Sequence, residues 1–186
     1  MIRVAGPGDV PAVLELVRSL AEYEREPSAV AMTAADLHRA LFGAAPSAYC
    51  LVAADAGAVG AVGDAEERAA DRDAPATQDR ASGAAPPVVG FAIWHPTFST
   101  WTGQAGMYLV DLFVRPEHRH SGHGRALLSA LAAICVRRGY RRLEWAVLDW
   151  NTPAQGFYRA LAAGPMPGWT TWRLAGDALT HLAADA

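Results

Sequence analysis

Lysine is absent from the 186 residues, and all sixteen basic side chains are arginine. That excludes a phosphate loop of the Gly-Lys-Ser/Thr kind. Cysteine is scarce. Cys50 lies in a strand-like run and Cys135 on the apolar face of a helical pattern, so two reduced core thiols in a cytoplasmic chain are expected, not a disulfide framework. The longest uncharged apolar run, Ala126 to Val136, falls short of the about 20 residues that a bilayer crossing needs. No basic stretch followed by an apolar run opens the chain, so neither a signal peptide nor membrane attachment is expected. Excess charge is lacking too. The formal net is −3, and residues 55–87 hold seven acids against three arginines, a net of −4 that leaves +1 on the remainder. A body so close to neutral gives no support to nucleic-acid binding.

What is present fits one domain over 1–186, with enough chain for a core. Ile2–Ala5 is a short strand. Asp9 is a plausible N-cap for an amphipathic helix carrying Val13, Leu16, Val17 and Leu20 to Tyr23. Thr33-Ala-Ala-Asp36 has the capping-box form and opens a second helix that Gly43 stops. Ala48–Ala54 and Val88–His95 are strands. Between them, 55–87 is Ala, Gly, Asp, Arg and Pro with almost nothing to bury, which predicts a disordered insert. Further on, Leu143–Val147 is a strand and Asn151 to Pro153 a cap leading into a helix through Phe157 and Tyr158. Thr170–Leu174 is a last strand and Asp177–Ala183 a terminal helix. This order predicts an α/β fold with a central sheet covered by helices.

The most informative stretch begins at Tyr108. Tyr108–Val114 is rich in β-branched and aromatic residues, and Arg115-Pro116 ends that strand. Gly122 and Gly124 then open a helix with apolar positions at Leu127, Leu128, Leu131, Ile134 and Cys135, which Gly139 stops. A strand feeding a glycine-containing turn at a helix N-terminus exposes several N–H groups and the positive end of the dipole, which is a phosphate or pyrophosphate site. Leu127 stands where a dinucleotide loop needs a third small residue, so that reading fails. What remains is Arg119-x-x-Gly122-x-Gly124.

That loop resembles the Arg/Gln-x-x-Gly-x-Gly/Ala loop of the GNAT acyl-CoA-dependent N-acetyltransferases. The likeness extends through Leu20-Ala-Glu-Tyr-Glu24, Val89-Gly-Phe-Ala92, Tyr108–Val114, Asp149-Trp-Asn151-x-Pro153 and Gly156-Phe-Tyr158, and is specific to the spermidine/spermine acetyltransferase-like branch. The resemblance implies a GNAT fold: a mixed, mostly antiparallel sheet whose strands Tyr108–Val114 and Leu143–Val147 splay apart to admit acetyl-CoA as cosubstrate. It also implies a homodimer to which Trp169–Leu174 contributes, and a small-molecule amine as acceptor. In this reading the backbone of His120, Ser121, Gly122, His123, Gly124 and Arg125 cradles the phosphates, with Arg119 and Arg125 as charge partners. Phe113 and Val114 offer backbone groups to the pantetheine arm, and a freed N–H near Leu112 or Phe113 serves the oxyanion. Asn151, Pro153 and Ala154 line the cofactor's other side. Tyr158 matches the family's general acid, and a phenol is protonated at neutral pH and ready to donate.

Acceptor-side candidates are Tyr23, Glu24, Val110, Glu144 and Trp145, and three acids could accept the amine proton: Glu24, Asp111 and Glu144. Asp111 best matches a family position. The sequence departs from the polyamine pattern at Val110, Ser99 and Thr170, where that branch carries acids, which weakens the electrostatic case for a polyamine. His120 stands where the family often has glycine, so it must adopt negative φ or accept strain. His118, His120 and His123 are read as phosphate-loop or solvent-facing residues rather than as metal ligands. A different class of function, a non-catalytic acyl-CoA-binding regulator on the same scaffold, stays open at this point.

Overall fold

The computed structural model describes residues 1–55 and 86–186. The expected insert, 55–87, lies outside the described residues except at its ends, where Asp55 N donates to Pro87 O at 3.0 Å. The chain divides into two compact units, Met1–Ala146 and Val147–Ala186.

The first unit holds a five-stranded sheet in the order β1 (Ile2–Val4), β2 (Tyr49–Ala54), β3 (Val88–Ser99), β4 (Gln104–Val114) and β5 (Leu143–Glu144). Neighbours pair antiparallel except β4 with β5, which are parallel. Helices α1 (Val10–Tyr23) and α2 (Ala34–Phe42) cover one face. Val13, Leu16 and Leu20 of α1 pack there with Phe91, Ile93 and Phe113 of the sheet. Burying each such side chain stabilises the unit by about 1.5–3 kcal/mol. On the other face, α3 (His123–Arg137) buries Leu127, Leu128, Leu131 and Cys135, with Cys135 Sγ 3.9 Å from Met107 Sδ. Both cysteines are buried and unbridged, as the sequence predicts.

The helix starts show which local signals the chain obeys. The Thr33–Asp36 capping box forms: Asp36 N donates to Thr33 Oγ1 at 3.2 Å, and Thr33 N to Asp36 Oδ2 at 3.1 Å. Asp9 precedes α1 but makes no side-chain cap, a correction to the expectation. Its carboxylate instead accepts from Gly6 N at 2.7 Å and from both terminal nitrogens of Arg3, because the ion pair outcompetes a neutral helix N–H.

One irregularity sets which β4 side chains share a face. Trp94 pairs with Leu109 and Ile93 with Asp111, so Val110 is an extra residue in β4. The bulge reverses the alternation of faces. Leu109 therefore faces α3 while Asp111, two positions on, faces the α1 side.

The second unit contains α4 (Thr152–Arg159) and α5 (Asp177–Ala183). The predicted strand Thr170–Leu174 does not form, and every residue of it is exposed. A strand needs a ladder partner, and this unit contains no other strand. The predicted strand Leu143–Val147 is also shorter than expected, covering Leu143–Glu144. Its ladder stops at Tyr108↔Glu144, just before the bulge turns β4.

Candidate active site

The strand–loop–helix at β4 and α3 has the predicted form. A 3-10 turn, Pro116–His118, leads to Gly122 at the N-cap of α3 with φ 84°. Nothing lies within 4 Å of where a Gly122 side chain would begin, so the mouth of the loop is open. The first intrahelical bond, Ala126 N to Gly122 O at 2.9 Å, leaves the N–H groups of His123, Gly124 and Arg125 as orphan first-turn donors. His120 takes φ 64°, the strained alternative, and is exposed, as is Ser121. A non-glycine residue there costs of order 1–3 kcal/mol, a cost met at functional loops.

Arg119 does not extend from this loop. Its Nε donates to Val114 O at 3.1 Å, and its guanidinium lies over the rings of Tyr23 (4.8 Å) and Phe113 (5.5 Å). It fixes the loop to the end of β4 and to the last residue of α1. The histidines do not converge. His118 Nδ1 sits 3.3 Å from Asp55 Oδ2, His118 and His123 rings are 6.5 Å apart, and burial lowers the His123 pKa.

Backbone direction identifies which peptides of β4 are open. Arg115 N donates to Val89 O on β3. By strand alternation Phe113 and Asp111 also turn their peptide groups to β3, while Leu112 and Val114 turn theirs to the side where β5 no longer pairs. The expectation for a Phe113 backbone donor is therefore corrected: its peptide is spent on β3 and its ring is in the core. The Leu112 peptide and the Val114 N–H face that open side, while Val114 O is taken by Arg119 Nε.

Below the bulge, Asp111 and Glu24, the residue that follows α1, form an acidic corner. Burial pushes the Glu24 carboxyl up, and the nearby Asp111 charge pushes it further. Burial likewise raises Asp111. Neither has an ion-pair or hydrogen-bond partner among the described residues. Glu144, the third candidate base, is already paired, with Oε2 2.8 Å from Arg142 Nε. Val110 is 46% exposed, and Trp145 is half-buried. The Arg142–Glu144 pair and the bulge at Val110 come from pairing of β4 with its neighbours, and no local sequence signal marks them.

The remaining predicted residues belong to the second unit. Asn151 caps α4, accepting from Ala154 N at 3.3 Å, with Pro153 in the first turn. Tyr158 sits near the end of α4, its ring 5.3 Å from that of Phe157.

This geometry agrees with comparisons to known proteins. Residues 14–162 match the family described as "Acetyltransferase (GNAT) family". The chain belongs to the GNAT acetyltransferases. It is 34% identical over 186 residues to the thialysine N-epsilon-acetyltransferase of Bos taurus, covering 98% of this chain and 96% of that one. It is 31% identical over 185 residues to the human spermidine/spermine N(1)-acetyltransferase-like protein 1, covering 98% of this chain and 23% of that one. The integron cassette protein from the mobile metagenome of V. cholerae superimposes with a TM-score of 0.68 at 22% identity, covering 98% of this chain and 96% of that one. The chain thus has the GNAT fold, sits in the diamine acetyltransferase-like branch and is an N-acetyltransferase. No helix among the described residues is long and apolar enough to cross a membrane.

Proposed function

We propose that the chain transfers the acetyl group of acetyl-CoA directly to a primary amine of a small cationic molecule, with both substrates bound at once. The observation that carries this reading is the acidic corner. Two partly buried carboxylates without a cation are costly to ionise, and an ammonium group offsets that cost when it binds. The relatives' names support an acceptor among thialysine-like diamino acids or polyamine-like amines.

The residues divide the work. First-turn N–H groups of α3 hold the diphosphate, and the Leu112 N–H donates to the carbonyl oxygen as the amine attacks. Asp111, with Glu24 beside it, accepts the amine proton, directly or through water; its raised pKa makes it a better base than an ordinary aspartate. As the C–S bond breaks, the Tyr158 phenol gives its proton to the CoA thiolate. Direct transfer is supported by the thiols. Both are buried and pushed up, Cys50 to about 12, so neither is a nucleophile for a covalent intermediate. A cytoplasmic homodimer, with the exposed Trp169, Trp172 and Leu174 at its interface, belongs to the same proposal and is checked by light scattering.

The test is acetyl-CoA consumption against a panel of amines. Tyr158→Phe is expected to lower kcat by about 10²–10⁴-fold while acetyl-CoA binding persists. Unchanged kcat removes Tyr158 from the mechanism. Tight acetyl-CoA binding with no turnover on any amine contradicts the proposal and favours a binding role.

A further inference from the structure

We infer that Arg142 and Glu144 form a clamp for the α-amino-acid head of the acceptor, so that the site takes diamino acids in preference to polyamines. This rests on the acetyltransferase reading above and goes further, naming which of the two acceptor classes the site fits.

The clamp and the acidic corner share one sheet face. Asp111 pairs with Ile93, Tyr108 with His95 and Gly106 with Thr97 across β3 and β4, and paired residues point to the same side. Glu144 is the β5 partner of Tyr108. Arg142 runs alongside Gly106: a side-chain carbon added there would lie 3.0 Å from Arg142 Cγ and 2.9 Å from Thr97 Oγ1. Glycine at 106 thus leaves the lane in which the arginine stem lies. From Asp111 to Tyr108 is three positions, one of them taken up by the bulge, or about 7–10 Å along the strand. That is about the reach of a lysine-length side chain. The His95 and Tyr108 rings, stacked with centroids 5.5 Å apart, floor the space between the two ends.

The charges are arranged for a zwitterion. Arg142 commits its Nε to Glu144 at 2.8 Å, and its side chain is 43% exposed, against 27% for Glu144. Its two NH₂ groups have no partner among the described residues, and that fork matches a carboxylate bidentately. Glu144 lies where an α-ammonium beside that carboxylate would meet it. A diamino acid lying along this face therefore places its side-chain amine at Glu24 and Asp111, its α-carboxylate on Arg142 and its α-ammonium on Glu144. A polyamine in the same lane brings a cation against Arg142 and has no carboxylate for its fork.

The experiment compares matched acceptors that differ by one carboxylate: lysine with 1,5-diaminopentane, and thialysine with bis(2-aminoethyl) sulfide. The wild type is expected to have the higher kcat/KM for the amino acid in each pair. Arg142→Gln should lower the amino-acid-to-diamine ratio of kcat/KM by about 10–100-fold, the loss lying mainly in KM, as for a bidentate charged contact. Arg142→Lys should fall between, and thermal melting confirms that both variants fold. A ratio unchanged in Arg142→Gln, or equal losses on both members of each pair, overturns the clamp. Wild-type preference for the diamines overturns it too while leaving acetyl transfer intact. No turnover on any amine defeats the acetyltransferase reading itself, and the clamp with it.

Discussion

Helix α1 has a carboxylate at each end, and their surroundings are opposite. Asp9, before the helix, is held by the Arg3 guanidinium and the Gly6 N–H, which keep its carboxyl below the usual range. Glu24, after the helix, has no cation among the described residues and faces a second acid, and burial and that charge push its carboxyl above that range. The α1 dipole favours the acid before its N-terminus and disfavours the one after its C-terminus, by about 0.3–1 kcal/mol each, and the contacts act in the same direction. The larger difference is compensation. At Asp9 the chain supplies the counter-charge, and the result is a folded N-terminal turn. At Glu24 and Asp111 no described residue supplies one, and in the proposed mechanism that leaves a place for a substrate cation.

The contrast breaks most visibly at the compensated end. Asp9→Ala leaves Arg3 and the Gly6 N–H without their acceptor and is expected to cost about 1–3 kcal/mol of stability. Chemical denaturation measures it, and kcat on a saturating amine should not move. At the other end the signs exchange. Glu24→Gln should raise KM for a cationic acceptor by about tenfold, the loss of one partly screened charge interaction, with stability held or slightly improved. Steady-state kinetics and a melting curve on the same preparation check both halves. If Glu24→Gln destabilises as Asp9→Ala does, the two ends are alike and the comparison fails.

The two ends differed in how legible they were. The strand–loop–helix form at β4 and α3 is readable because glycine at 122 and 124, a preceding strand and a periodic helix all bear on local backbone geometry, which neighbouring residues determine. The capping box at Thr33 was readable for the same reason. Asp9 has the local signature of a cap, but its partner, Arg3, lies on a preceding strand, and the competition between an ion pair and a helix N–H is a tertiary matter. The choice of Leu112 over Phe113 as the open peptide, and the turn of Asp111 toward α1 at the Val110 bulge, are set by register with β3. Arg142 and Glu144 read as ordinary charges in a sequence, and their meaning depends on pairing with Gly106 and Tyr108 of β4. The segment 170–174 has the composition of a strand, but composition supplies no ladder partner.

Thermal unfolding of the wild type and Asp111→Asn across pH is the most direct test of the withheld counter-charge. A carboxyl whose pKa is raised on folding binds its proton more tightly in the folded state, so it removes stability as pH rises from the ordinary carboxylate range through the raised value. The account predicts that Asp111→Asn melts higher than the wild type at neutral pH, that the gap closes on acidification, and that acetyl transfer to thialysine falls. An Asp111→Asn protein that melts lower at neutral pH, or a gap that does not change with pH, would show that Asp111 already has its compensation in the fold and would contradict the central claim.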